Sequence, residues 1–389
     1  MLRKKRTRKQ IHTIEATPQL SSNLLSSGFS LLNLVTRAYP IKLIILTSMG
    51  LHLSLSSLTP HASSFDGEEP KLEQPGPLEL RALDYIRFRK DIAEIEANAL
   101  DRASATRDAH NRLAAHESWT LSSGWMAYAA LVAADTPAFA ESLKAELRGE
   151  NDIPEGKKQK KRKKKKKKSK KAKGLSEEEL KEAQNRFLSK LSANPRYPRQ
   201  LAGAQEAISA VMAIAQSDHS RVTALGEEYK SKAYSLQKTS WGKKRLPSSK
   251  TRISEAEYYA NSRPGIAMPT FATTRSDGVK QPGIITSDYT EWTPNWGYKT
   301  YNTIQHASGS DAIMDRILNL AARYAVGSLN NRVVSAYAKN NKSEQCLAIA
   351  RLTLNQCIAA TRTPYEEAFC LGEHAIKDVG DCVNWVVKR

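Results

Sequence analysis

Apolar residues in the stretch 77–116 recur at steps of three and four: Leu80, Leu83, Ile86, Ala93, Ala97 and Leu100. That period marks a helix with one buried face, and it predicts a long helical stretch from Pro77 to about His116. In "WTLSSGWMAYAALVAADTPAFAESLKAEL" the run Trp125 to Ala133 is apolar on every side, as a fully buried helix is. Thr136-Pro137 then restarts a helix carrying Phe139, Leu143 and Leu147. Further on, Ser176-x-x-Glu179 is a capping box that opens a helix. Helical periodicity continues through "QLAGAQEAISAVMAIAQ" and "SRVTALGEEYKSKAYSLQ", and returns in "SDAIMDRILNLAARYAVGSLNNRVVSAYAK". Strand-like alternation is scarce. The expected fold is all-α: a multi-helix array with a C-terminal αα-hairpin stapled by disulfides.

One long segment breaks the periodicity. From Trp241 to Ala307 the chain carries several prolines, tryptophans and tyrosines with little sustained pattern. A stretch of that length is uncommon in a compact domain and marks either a functional loop or disorder. The flat faces of Trp292 and Trp296 in "WTPNW" could present a platform to a carbohydrate or peptide; packing against the helices is the preferred reading.

The four cysteines, Cys346, Cys357, Cys370 and Cys382, all fall near the C-terminus. An even, clustered set suggests bridges, and four cysteines allow three connectivities. Both "CLAIARLTLNQCIAA" and "YEEAFCLGEHAIKDVGDCV" have helical composition, and between them Thr363, Pro364 and Glu366 form a capping box with proline at the first helical position. Residues eleven apart on one helix are separated by about 16 Å of rise, whereas bridged cysteines have Cα atoms within about 7 Å. Neighbours on one arm therefore cannot pair. In an antiparallel hairpin facing residues have a constant index sum. The pairs Cys346–Cys382 and Cys357–Cys370 meet that condition to within one residue, while crossed pairs break register. The layout resembles the twin-cysteine helical hairpins of the mitochondrial intermembrane space, although the spacings here are longer than in that family. The resemblance covers about 40 residues of hairpin architecture and implies no function. Four reduced core cysteines are the alternative; a zinc site lacks the short Cys-x₂₋₄-Cys spacing.

Charge changes the picture of partners. The chain has 389 residues and a formal net charge of +20. Lys157–Lys173 holds 14 basic residues in 17 positions, Lys163, Lys164, Lys165, Lys166, Lys167 and Lys168 forming its unbroken centre, and the first 64 residues hold 8 basic residues against one acid, Glu15. The rest is close to neutral, which argues against a broadly basic nucleic-acid-binding fold. The lysine run lacks interleaved aromatics for stacking bases, and like-charge repulsion keeps such a run extended. It is expected to be an exposed loop, with contact to an anionic membrane surface or glycan as its candidate role. Nucleic acid is the less favoured partner, and no protein partner is identified.

The N-terminus reads as a targeting segment. Arg37 and Lys42 precede a short apolar stretch, Leu43 to Leu58, and the small residues Ala62-Ser63-Ser64 would suit processing before Phe65. The stretch is short and polar for a membrane span, which needs about 20 apolar residues. A secretory signal is preferred, with a mitochondrial presequence as the alternative. The expected organisation is then a targeting segment 1–64, a linker 65–76, a helical region 77–150, a lysine-rich loop 151–174, a helical region 175–240, the irregular segment 241–307, and a helical region with the cysteine hairpin at 308–389.

Catalytic signals are thin. No phosphate-binding glycine loop, nucleotide fingerprint, His-Glu-x-x-His or nucleophile elbow occurs in the sequence. Ser235 with Lys238, Ser287-Asp288-Tyr289 and Lys299-Thr300 loosely echo the penicillin-binding set, but Tyr301 replaces the required glycine and no sheet is predicted. His374, Asp378 and Glu367 share one side of the last helix, and a solvated polar face is preferred there over a metal site. His110, His116, Asp218 and His219 show no shared spacing. No catalytic residue, cofactor or metal is assigned. The expected function is that of an exported, periplasmic or secreted, non-enzymatic structural or interaction protein. The alternative is a nucleic-acid-associated, organellar ribosome-like protein using the basic tract; an enzyme would need a cleft built by the aromatic segment.

Overall fold

In the computed structural model α1 (Pro77–Ala97) and α3 (Ser118–Asp135) cross where Gly124 removes a side chain. A Cβ there would stand 2.8 Å from the Tyr85 backbone nitrogen, so glycine lets the two backbones approach. The structure describes residues 71–72, 74–150, 175–265, 271–274, 279–284 and 309–383. These belong to the unit Asp66–Arg389; the other unit, Met1–Phe65, lies outside the described residues. The proposed targeting segment, most of the linker, the lysine run with Lys163–Lys168, and Trp292 and Trp296 all lie outside them as well.

The described part is helical, as the periodicity predicts, with one small sheet added. After α1 and α3's connecting helix α2 (Ala103–Ala114) come α4 (Pro137–Leu147), α5 (Glu177–Ala193), the 33-residue α6 (Ala204–Leu236) and α7 (Ser249–Ser262). Then follow α8 (Asp311–Ala325), the short α9 (Asn331–Tyr337), α10 (Asn341–Ala360), α11 (Pro364–Cys370) and α12 (Asp378–Val383). The continuous pattern 77–116 is in fact two helices. Asn98 and Arg102 adopt extended backbone, which turns the chain between α1 and α2.

Helix α3 is the centre of the core. All residues from Trp125 to Ala134 are buried, and α1, α6, α8 and α10 pack around it. Its many alanines let those neighbours close in, and its lack of a polar face is the mark of a helix surrounded on all sides. The capping box at Ser176 forms as read: Ser176 Oγ accepts from the Glu179 amide at 3.3 Å and Glu179 Oε2 accepts from the Ser176 amide at 2.9 Å.

Within the segment 241–307, the structure places α7 and two strands. Helix α7 is capped by Ser248, whose Oγ accepts from the Thr251 amide at 3.2 Å, and it buries only Arg252 and Ala256. An arginine, not an apolar stripe, holds this helix, so periodicity could not reveal it. Strands β1 (Lys71–Leu72), β2 (Phe271–Thr274) and β3 (Gln281–Ile284) form an antiparallel sheet in the order β1-β2-β3, with Lys71 opposite Thr273 and Thr273 opposite Pro282. Its first strand falls inside the expected linker. The sheet is tied to the helices by the Lys280 amide, which donates to Ala325 O at 2.6 Å, and by the buried Val279.

Candidate functional site

The sequence points to the cysteine hairpin, and the structure builds it from α10 and the arm α11–α12. Cys346 is bonded to Cys382 and Cys357 to Cys370, with Cα separations of 5.5 and 5.7 Å. The nested pairing is therefore correct. The hairpin turn is capped as expected: Glu366 Oε2 accepts from the Thr363 amide at 3.0 Å.

The two arms are unequal in length. Eleven steps separate Cys346 from Cys357, whereas twelve separate Cys370 from Cys382. Between α11 and α12 the chain takes up that surplus as a π-helix, Leu371–Lys377. A π turn closes over five residues instead of four and so absorbs one residue with little gain in length, which keeps both bridges in register. The π-helix also lies against α6 through paired glycines: a Cβ on Gly226 would meet Gly372 O at 2.8 Å, and one on Gly372 would meet Gly226 O at 2.8 Å.

The turn of the hairpin is clamped from outside by α7. Arg252 Nη1 donates to Glu367 Oε1 at 2.9 Å and to Thr361 Oγ1 at 3.0 Å; its Nη2 donates to Thr361 O at 2.8 Å and Ile358 O at 3.3 Å. Ile358 O also accepts from the Thr361 amide at 3.3 Å and Thr361 Oγ1 at 2.9 Å, and the guanidinium fork adds a donor at this helix end, where carbonyls run out of partners in the helix ladder. Helix α2 completes the cluster with His110, whose Nδ1 lies 3.5 Å from Glu367 Oε1. Burial pushes the Glu367 carboxyl up, but His110 and Arg252 beside it outweigh that and hold it below its ordinary value. Glu367 is thus an ion-pair anchor inside the protein. The expectation that it shares a solvated face with His374 and Asp378 is corrected: only those two form a pair nearer the surface, at 3.0 Å.

Two more buried charge centres brace the array. Arg89 on α1 donates to Asp218 Oδ1 on α6 at 3.2 Å and to Tyr128 Oη on α3 at 2.6 Å, while Tyr85 donates to Asp218 Oδ2 at 2.8 Å. Burial raises the Tyr85 hydroxyl well above its ordinary value, and the neighbouring Asp218 adds to it. Asp91 meets His116 at 2.7 Å, Arg263 at 2.7 Å and Arg112 at 3.2 Å. Burial pushes the Asp91 carboxyl up, and His116 and Arg263 bring it below its ordinary value. His110 on α2 and Asp218 on α6, which show no common spacing in sequence with His116, are therefore buried pairing residues on different helices, while the partly buried His116 pairs from the connection between α2 and α3. His219 instead faces Asp381 at 3.7 Å.

His116 and His374 line one small cavity of about 30 Å³ with Phe88, Leu121 and Leu354. That space suits a water and not a substrate. Among the described residues no group of three or more His, Cys, Asp or Glu is arranged to hold a metal, and no helix is long and apolar enough to cross a membrane. The buried positions of two of these residues left a trace in the sequence. Glu367 stands three and four positions before Cys370 and Leu371, on their buried side, and His110 stands between Thr106 and Leu113 on one face of α2. Compared with protein-family models, curated proteins and solved structures, this chain matches none.

Proposed function

We propose that this chain is an exported, non-enzymatic structural or interaction protein. Its braced helical body would carry the lysine-rich tract as an electrostatic contact to an anionic envelope surface. The observation that carries this reading is the pair of nested disulfides, which engage all four cysteines. Such bridges form and persist in oxidising compartments and are rare in the cytosol. Three clusters of buried ion pairs agree with a body selected for rigidity, since each ties together helices distant in sequence.

The role of Lys163–Lys168 follows from charge alone. A lysine near an anionic leaflet gains roughly 1 kcal/mol, and the effect is screened within a Debye length. The tract is attached between α4 and α5, and those helices are fastened by Lys190, which donates to Glu146 Oε1 at 2.7 Å. A contact made by the tract would therefore be transmitted to the body.

Non-reducing peptide mapping of protein from its native source tests export. A mature start near Phe65 with 346–382 and 357–370 bridges is expected; an intact Met1 with four free thiols overturns the reading. Co-sedimentation with vesicles tests the tract. Binding should require anionic lipid, weaken with salt and vanish when 157–173 is replaced by Gly and Ser. Retention on RNA by protein with free thiols would instead favour the nucleic-acid-associated alternative.

A further inference from the structure

We infer that the loop between α6 and α7, together with the tip of the cysteine hairpin, is a second and structured contact for an anionic phospholipid surface. The choice of lipid over nucleic acid rests on the exported reading above, since paired disulfides belong outside the cytosol.

The charge there is one-sided. From Tyr229 to Ser254 the chain holds no Asp or Glu. Lys230 and Lys232, within α6, are paired with Glu373 and Glu228. Lys238, Lys243, Lys244 and Arg245 follow in the loop; all four are exposed, as is Arg362 at the hairpin tip. Among the described residues no salt bridge engages any of these five. The acid next to Arg362 is Glu366, whose Oε2 accepts from the amides of Arg362 and Thr363 at 2.6 and 3.0 Å, so its role is to cap α11.

Backbone contacts hold the five cations in one place. The Leu246 amide donates to Arg362 O at 2.9 Å and the Tyr365 amide to Gly242 O at 3.4 Å, which fastens the loop to the hairpin. Inside the loop, Thr239 Oγ1 accepts from the Gly242 amide at 3.0 Å and Trp241 O from the Lys244 amide at 3.1 Å. Glycine is required at 242, because a Cβ there would meet Leu236 O at 2.0 Å. A fastened loop has less freedom to lose on contact than an unfastened one.

Tyr234, four positions before Lys238, is 63% exposed. An amphipathic ring beside cations suits the headgroup level of a leaflet, where Tyr and Trp concentrate. Each cation near an anionic leaflet strengthens binding about fivefold. Five of them add to the lysine tract's contact without replacing it, since two linked contacts gain through effective concentration.

Co-sedimentation of the full oxidised chain with phosphatidylglycerol vesicles tests this. Lys243→Gln, Lys244→Gln and Arg245→Gln together should weaken binding at least about tenfold. The urea midpoint should not move, because all three side chains are exposed. A control triple, Lys181→Gln, Arg332→Gln and Lys339→Gln, removes equal charge from exposed positions elsewhere and should weaken binding far less. Equal weakening by both triples would reduce the effect to net charge and overturn the inference. A loop triple that binds as the native chain does overturns it while leaving the tract reading intact. Binding that survives replacement of 157–173 but not the loop triple overturns the tract reading and supports this one. Displacement by inorganic phosphate beyond that by chloride at equal ionic strength would make the patch a small-anion site and overturn the surface contact. Tighter retention on RNA than on vesicles, lost in the loop triple, would overturn the choice of lipid.

Discussion

Arg252 Nη1 and Glu367 Oε1 lie 2.9 Å apart, and neither side chain is exposed to solvent. This one contact joins α7, the helix that periodicity does not reveal, to the first turn of α11. The same guanidinium holds Thr361 O and Ile358 O at the end of α10, so its planar fork serves a salt bridge and a helix terminus together. A lysine offers one point charge in place of that fork. Arg252→Lys should therefore destabilise the oxidised protein by about 3 kcal/mol, the range for breaking a buried pair or stranding buried carbonyls. Urea unfolding measures it. A change below about 0.5 kcal/mol, typical of surface sites, would show that the clamp contributes little.

Glu367 also gives the stability a direction with pH. Its folded value lies below the ordinary 4.5 because His110 and Arg252 favour the carboxylate more than burial opposes it. A depressed carboxyl adds stability that is complete above the unfolded value and is lost as pH falls through the folded one. The stability gap between the native chain and Glu367→Gln should thus hold steady above pH 4.5 and narrow below it. Asp91 is depressed from 3.8 in the same sense, so Asp91→Asn should show its narrowing at lower pH. Unfolding series across the acid range decide this; a gap that widens on acidification would reverse the assigned direction.

Gly226 reverses an ordinary rule. In an exposed helix interior, replacing glycine by alanine is worth about 1 kcal/mol of added stability. Here the new Cβ would sit 2.8 Å from Gly372 O and 3.0 Å from Lys377 N, and backbone cannot swing aside as a side chain does. Gly226→Ala should cost about 1–3 kcal/mol, the range for overpacking. Differential scanning calorimetry reads the sign directly, and a raised Tm would mean that the two segments are not in contact.

Where an element is held by apolar contact, the chain announces it. Helix α3 and the α10–α11 hairpin were legible because the unbroken apolar run from Trp125 to Ala133 and the spacing of the cysteines both stand in the sequence. Helix α7 was not, because its anchor is a lone arginine whose partners on the hairpin lie more than a hundred positions away. The same holds for Asp218, whose partners Tyr85 and Arg89 sit on another helix. Ion pairing across helices has no period, so sequence spacing cannot expose it. The sheet was hidden for a different reason: β1 has two residues and β2 and β3 four each, too few for alternation to register.

The two bridges should not be equal. Cys346–Cys382 closes 36 residues and Cys357–Cys370 only 13. Loop entropy makes the outer one worth about 4 kcal/mol and the inner one about 3. Paired alanine variants, C346A/C382A against C357A/C370A, compared by urea midpoint should rank in that order. Equal losses would mean that the short loop gains its stability in the native state.

The π-helix Leu371–Lys377 makes the sharpest claim about register. It exists, on this account, because one arm of the hairpin has twelve steps between cysteines and the other eleven. Removing one partly exposed residue from it, His374, equalises the arms and lets the segment close as an ordinary α-helix. Both native bridges should then still form, with stability lowered only by the lost His374–Asp378 pair, a surface contact worth about 0.3–0.5 kcal/mol. Removing one residue from α10 between Cys346 and Cys357, such as Leu352, has the opposite effect and leaves the arms two steps apart. That variant should form mispaired or single bridges. Non-reducing peptide mapping of the two deletions separates the outcomes, and native pairing in both, or in neither, would show that the π turn is not what keeps the cysteines aligned.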